Sequence, residues 1–471
     1  MKRLTLIFAL VLTACTQPQT GIDTPVRTPN SQEDRDIIAY IDQRLVEEYY
    51  WLDEVVERSE EFDREYNKWG DYLSHSLSKL QTNEDDGYRK SNGERVLYSY
   101  ISSYQPATRA VASGFGLLLH YTILVGNGGN NYYYFIIDHV YPDSPAEKAG
   151  ILRGDMITMI NNNYITSSNY AGHFSSIQGN TKQSIELMLQ RQTTQESFSV
   201  KLSKAQYDAS PVAYHEVLEV EGKKIGYLAY LSFDKDYDEK LLAALGELAA
   251  EGAQEVILDL RINRGGSVNS AAKLCSALVP TTFEGSVLCT LMRNPRNTQV
   301  QQRTDVCLTQ TGTTLSLDRL TVICSNYSAS ASELVVMGLR GLDVPVMLIG
   351  SLTEGKNCGM DVTRAKIGNT YVEYAPITFM CFNAKGFGDW GEGITPDVDL
   401  KDRNNGVGVH DGNYPMPRAT WGDTQHDIAL ATALAKILGK GVSTTRSAAF
   451  ASYQETLSIE APVEGIRLYH E

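Results

Sequence analysis

From residue 224 the chain sets short, almost wholly apolar runs against amphipathic ones. KIGYLAYLSF (224–233), EVILDLR (255–261), LTVICS (320–325) and VPVMLIG (344–350) read as strands. DEKLLAALGELAAEG (238–252), SVNSAAKLCSALV (267–279) and SELVVMGLRGL (332–342) read as helices. A strand apolar on both faces is covered on both faces, as in a parallel sheet. Strands alternating with helices therefore predict an α/β sheet whose working loops lie at the strand ends.

Three of those loops hold residues that can do chemistry. Leu258-Asp-Leu-Arg-Ile-Asn-Arg-Gly-Gly266 runs from a buried strand into paired glycines just before a helix. Such a junction can point backbone N–H groups at an anion, or it can be a plain tight turn. Ser325-Asn-Tyr-Ser-Ala-Ser-Ala-Ser-Glu333 follows the next strand. Its small residues let a side chain face a cleft, and a helix N-terminus supplies positive potential there. Ser330-Ala-Ser-Glu333 is also a capping box, so Ser330 is either a helix cap or a nucleophile on this pattern. A nucleophilic serine needs a base. The eight histidines are His75, His120, His139, His173, His215, His410, His426 and His470, and none falls between residues 216 and 409. Lys356, after Ser-Leu-Thr-Glu-Gly at the end of the next strand, is the alternative: a desolvated lysine can deprotonate and accept a hydroxyl proton. A simple turn at Gly355-Lys356-Asn357 is the competing reading.

Upstream, residues 113–205 switch to β-type runs around YPDSPAEKAGILRGDMI (141–157). This order resembles a PDZ domain. The resemblance makes Gly114-Phe115-Gly116-Leu117 the carboxylate loop, with the adjoining strand edge pairing with a peptide. Residues 31–112 carry apolar residues at helical spacing (Ile37, Ile38, Ile41, Leu45, Tyr49, Leu52, Val56) and read as a small helical domain without a chemical cluster. Residues 401–471 form an extension with one helical stretch, Asp427 to Leu438.

The 471 residues leave room for two to four domains of ~100–200 residues each. A net charge of −15 and a pI near 5.1 exclude the broad positive field of a nucleic-acid binder. No HExxH, CxxC or other zinc spacing occurs, so no metal and no cofactor are expected. Lys2 and Arg3 precede a short apolar run, and Leu12-Thr-Ala-Cys15 resembles a lipobox. Residues 1–14 then read as a signal peptide, Cys15 as a lipidation site, and 15–30 as a tether that holds the protein at a membrane surface. Six other cysteines lie between 275 and 381, and pattern alone does not pair them.

Taken together, LDLRINRGG, YSASASE, and LIG followed by TEGK resemble the carboxyl-terminal processing, or tail-specific, serine proteases. That family places a PDZ domain before a ClpP/crotonase-like α/β core. The resemblance covers residues 113–400 and implies a multidomain α+β chain. It makes Ser330 the nucleophile, Lys356 the general base, and the N–H groups of Ala331 and of Gly265 or Gly266 the oxyanion hole, with Glu333 and Thr353 in support. It implies a serine endopeptidase acting near the C-termini of polypeptide substrates in the bacterial envelope, with the outer membrane favoured by Thr16. The alternative is a catalytically weak peptide-binding scaffold. Two departures bear on this. Members often carry a glutamine four residues after the lysine, where this chain has Met360. Arg264 replaces a common glycine. FNAKGFGDWGEGITPDVDL (382–400) resembles the ending of lipoprotein members from Bacteroidetes-like bacteria, and its Gly/Asp loop is expected near the cleft.

Overall fold

The computed structural model describes residues 31–469, apart from 65, 67, 90–92, 94, 105–111, 127–130, 179–181, 192–193, 299, 401–408, 411–413, 416–418, 441–452 and 460–465. The signal peptide, Cys15 and the tether lie outside the described residues.

The centre is a six-stranded sheet. Its strands are β9 (Val212–Val220), β10 (Lys223–Tyr230), β11 (Glu255–Asp259), β14 (Leu320–Cys324), β15 (Val346–Gly350) and β19 (Val398–Asp399), in that order. All pairings beyond the β9–β10 hairpin are parallel. Alternation along the strands explains the layers. Leu228, Val256, Leu258, Val322 and Leu348 join one core with α6 (Asp238–Ala250), α7 (Val268–Leu278) and α8 (Ala331–Gly341). Tyr227, Ile257, Ile323 and Ile349 face the other way and pack on Trp421 and on α9 (Ile428–Ile437). The C-terminal extension is thus a wall of the sheet.

A second sheet runs β13 (Arg303–Cys307), β12 (Val287–Arg293), β18 (Phe379–Asn383), β16 (Cys358–Ile367), β17 (Thr370–Ala375) and β1 (Tyr100–Ser103). The presence of β1 corrects the reading of 31–112 as a domain apart. That strand pairs antiparallel with β17. Helices α1 (Gln32–Glu48), α2 (Leu52–Arg58) and α3 (Trp69–Leu77) bury Ile37, Ile41, Leu45, Tyr49 and Tyr72 in one cluster with Cys358, Met360, Val372 and Tyr374. The apolar stripe of α1 is satisfied by this second sheet.

The PDZ-like unit comprises β2 (Ala112–Gly114), β3 (Leu117–Gly126), β4 (Asn131–Val140), α4 (Pro145–Lys148), β5 (Met156–Ile160), α5 (Tyr170–Gln178), β6 (Ser184–Gln190), β7 (Ser197–Ser203) and β8 (Ala205–Tyr207). Its main sheet runs β7-β6-β5-β4-β3, and β20 (Tyr453–Ile459) adds antiparallel to the outer edge of β3 over Tyr121–Gly126. A last strand, β21 (Ile466–Tyr469), lies along β16. The six cysteines from 275 to 381 are all free thiols.

Candidate active site

Three loops leave the carboxyl ends of adjacent strands β11, β14 and β15, which is where an open parallel sheet gathers its functional groups. The serines of the second loop fasten it to the first. Ser328 Oγ donates to Leu260 O (2.8 Å), Ser332 Oγ to Asn263 O (2.9 Å), and Ser325 Oγ to Arg261 O. Only short hydroxyl side chains fit between backbones this close. Arg264 stacks over the Tyr327 ring at 4.3 Å and closes the rim of the same pair of loops.

Ser330 is fully buried and holds φ 62°, ψ −116°. For a residue with a Cβ this left-handed conformation costs on the order of 1–3 kcal/mol, and such outliers gather at functional sites. Ser330 stands at the helix cap in a capping box with Glu333, its N–H donating to Glu333 Oε2 at 2.8 Å. Among the described residues Ser330 Oγ has no hydrogen-bond partner.

The oxyanion expectation is narrowed. Gly265 N–H is already committed to Asn263 Oδ1 (2.9 Å), whose amide is anchored on Tyr230 O (2.9 Å). Gly265 is therefore not a free donor, and its role is steric. At φ +96° a Cβ there would stand 2.8 Å from Ser330 Cβ and 2.9 Å from Ala331 N. The N–H groups of Gly266 and Ala331 donate to no acceptor among the described residues.

Glu333 assembles the rest. Its Oε1 accepts from Thr353 Oγ1 (2.6 Å) and Gly355 N (2.7 Å), and its Oε2 from Ser330 N and Lys356 N (both 2.8 Å). Ser330 and Lys356 thus hang from one oxygen, their backbone nitrogens within two hydrogen-bond lengths of each other. Complete burial pushes the Glu333 carboxyl up from its ordinary value, against the pull of the Thr353 hydroxyl and the three N–H donors. Thr353 Oγ1 in turn accepts from Ile394 N (2.7 Å), and Asn357 Nδ2 donates to Gly388 O (2.7 Å). The Gly/Asp loop therefore backs the lysine loop.

Lys356 is fully buried, with Nζ 3.9 Å from the centroid of the Tyr98 ring. Tyr98 comes from the N-terminal segment read as a helical domain without a chemical cluster. It is 4% exposed, and its hydroxyl reaches Glu354 Oε1 at 3.4 Å. Buried Asp86 fixes its backbone: Oδ1 accepts from Tyr98 N (3.1 Å) and Ser99 N (2.9 Å), Oδ2 from Ser99 Oγ (2.6 Å) and Tyr49 OH (2.7 Å). No periodicity marks Tyr98 in the sequence; a buried-type aromatic beside Ser99 in a short polar stretch is the one signal. Met360 is fully buried in the apolar cluster with α1–α3.

In the PDZ-like unit, Phe115 and Leu117 turn into the core. Gly116, at φ +79°, lies where a Cβ would fall 2.0 Å from Ser144 Cβ, so the loop closes on the N-terminus of α4. This unit also reaches the first of the three loops. Arg153 stacks on Trp421 at 3.7 Å and donates to Ala419 O (2.6 Å). Asp427, the cap of α9, pairs with Arg261 at 2.8 Å, and Arg261 pairs with Asp259 at 2.6 Å.

Residues 224–400 match Peptidase family S41, and residues 136–191 match the PDZ domain. Over these residues the chain is thus similar to an S41 peptidase domain behind a PDZ domain. It is similar to the Probable CtpA-like serine protease of Staphylococcus aureus (strain bovine RF122 / ET3-1), with 26% identity over 257 residues, 55% of this chain and 48% of the relative. The protein of the same name from Staphylococcus epidermidis (strain ATCC 12228 / FDA PCI 1200) is 24% identical over 332 residues, 68% of this chain and 64% of the relative. The chain spans about half the length of the first of these relatives. A crystal structure of an S41 protease candidate from Bacteroides fragilis NCTC 9343 shares the fold, with a TM-score of 0.63 at 22% identity over 90% of this chain and 99% of the other.

Proposed function

We propose that the protein is a serine endopeptidase of the bacterial cell envelope. It engages polypeptides near their C-termini through the PDZ loop Gly114–Leu117 and cleaves them with Ser330 and Lys356. Neutral Lys356 takes the Ser330 proton as Oγ attacks a peptide carbonyl. The oxyanion forms against the N–H groups of Gly266 and Ala331, at the positive end of α8. The ammonium of Lys356 then protonates the leaving amine, and water hydrolyses the acyl-enzyme. Cys15 carries the lipid that holds the enzyme at the membrane, the outer membrane by preference. The observation that carries the reading is the single Glu333 oxygen on which the backbones of Ser330 and Lys356 converge.

The test is cleavage of an unfolded protein by the purified chain. Ser330→Ala and Lys356→Ala should each reduce turnover by about 10³-fold or more while leaving peptide binding intact. Equal residual cleavage in both variants and wild type refutes the dyad; peptide binding with no wild-type turnover leaves a scaffold. Loss of palmitate labelling in Cys15→Ser checks the anchor.

A further inference from the structure

A lysine can serve as a base only if its amine is held toward the nucleophile and its positive charge is not fixed in place. A carboxylate beside Nζ would orient it but keep it protonated. An amide side chain could orient it without that cost, but the position four residues on is Met360, buried among α1–α3. An aromatic ring, that of Tyr98, lies with its centroid 3.9 Å from the amine.

We propose that Tyr98 is the positioning residue for Lys356, its ring face setting where the amine sits and receiving the charge that forms during attack. This rests on the reading of Lys356 as the base. Nζ stands 3.9 Å from the ring centroid, inside the ~6 Å reach of a cation–π contact. Both side chains are withdrawn from water, where such contacts are strongest. The ring is held at both ends, by Asp86 on its backbone and by Glu354 on its hydroxyl. Glu354 itself donates its N–H to Ser328 O (3.1 Å), so the plane of the ring is referenced to the serine loop as well as to the lysine loop. A quadrupole attracts an ammonium more weakly than a full negative charge does. It therefore lets the resting amine be neutral and still favours the ammonium once the serine proton arrives.

The titratable groups around this pair are Glu333 from α8, Glu354 from the lysine's own loop, Cys358 from β16, and Asp85, Asp86 and Tyr88 from the N-terminal segment. Glu333 spends its oxygens on N–H groups and the Thr353 hydroxyl, and Asp86 spends its own on Tyr98, Ser99 and Tyr49.

The experiment is the pH profile of kcat and kcat/KM for the full chain on an unfolded protein, comparing Tyr98→Phe, Tyr98→Leu and Lys356→Ala. Tyr98→Phe keeps the ring and should stay within about threefold of wild type. Tyr98→Leu should lose about 10- to 100-fold in kcat with little change in KM. Its rising limb should move to lower pH, because an ammonium deprived of the ring gives up its proton sooner. If the leucine variant folds poorly, phenylalanines with one, two and three fluorines at position 98 preserve the shape and drain the ring face. kcat should fall and the limb should shift stepwise along that series. A wild-type kcat and limb in the leucine variant, or a flat fluorine series, overturns the role of Tyr98 while an inactive Lys356→Ala leaves the dyad standing. An active Lys356→Ala overturns the dyad itself.

Discussion

Glutamine in place of Glu333 tests how the two reacting residues are brought together. The carboxylate offers two acceptor oxygens to four donors: Thr353 Oγ1 and Gly355 N on one, Ser330 N and Lys356 N on the other. An amide offers one acceptor. With its nitrogen toward Ser330 and Lys356, two N–H groups would be orphaned. With its nitrogen toward Thr353 and Gly355, the threonine hydroxyl can accept instead of donate, its own proton turning away, and Gly355 N–H is the one backbone donor left unpaired. The second orientation wins, and one orphaned buried donor costs about 1–3 kcal/mol. Relief from burying a carboxylate offsets part of the weaker bonding. The net expectation is a loss of about 1–3 kcal/mol in urea unfolding at neutral pH. In the same variant Gly355 loses its anchor, and Lys356 shifts with it. Displacement of a catalytic group by a fraction of an ångström to 1 Å costs on the order of 10²-fold in kcat/KM. Glu333→Ala leaves all four donors without this partner and should cost distinctly more on both axes. Chemical denaturation and steady-state proteolysis measure the two quantities independently. A glutamine variant equal to wild type in both would refute the argument, as would an alanine variant no worse than the glutamine one.

Gly266→Ala should reduce kcat/KM on the order of 10²- to 10³-fold, since at φ +139° its Cβ would meet Phe233 O at 2.3 Å and turn the N–H away; activity within threefold of wild type removes Gly266 from the oxyanion hole. His139, at the junction of the PDZ unit and the C-terminal wall, has its imidazole pushed down to about 3 by burial and then by Arg153, and its Nδ1 accepts from Trp421 Nε1 (3.2 Å). The unfolded chain protonates it first, so this stability is present above about pH 6.5 and is lost as pH falls toward 3. The full loss is several kcal/mol, on the order of 4–5. Urea midpoints of wild type and His139→Gln should therefore converge on acidification, and parallel curves would refute the assignment. Removing residues 441–471 takes β20 off β3, so the affinity for a C-terminal peptide, followed by fluorescence anisotropy, should rise; an unchanged affinity means that β20 does not cover the docking edge.

The central sheet was legible because its physics is local. EVILDLR and LTVICS carry apolar residues on both faces of their centres, Val256, Leu258 and Val322 on one and Ile257 and Ile323 on the other, and such strands have few alternatives to a covered parallel sheet. The chemistry at their ends was legible for a related reason: paired glycines and a run of alternating serine and alanine are costly inside regular structure and mark places where backbones must come close. What the pattern left open was which polar group each loop uses. The contest between cap and nucleophile at Ser330 turns on a side-chain direction, and the commitment of Gly265 N–H turns on a bond from Asn263 two residues earlier. Neither has a periodicity to betray it. The serines at 325, 328 and 332 looked like packing and proved to be fasteners to residues 260–263.

The N-terminal segment was misjudged for a different reason. Its helices have apolar stripes, and a stripe declares only that something must cover it. Here the cover is the sheet that contains β16, the strand that begins at Cys358, two residues after Lys356. A helix that buries itself there stiffens the strand that follows Lys356. The same packing brings in Asp86, whose four accepted hydrogen bonds hold Tyr49, Tyr98 and Ser99. A buried carboxylate with that many donors is costly unless every one is made, so the Tyr98 backbone has little freedom to drift. The amine 3.9 Å from its ring shares that rigidity. On this geometry, whatever loosens α1–α3 from β16 reaches Lys356 before it reaches Ser330, because Ser330 is held by the central sheet and Lys356 stands at the seam between the two.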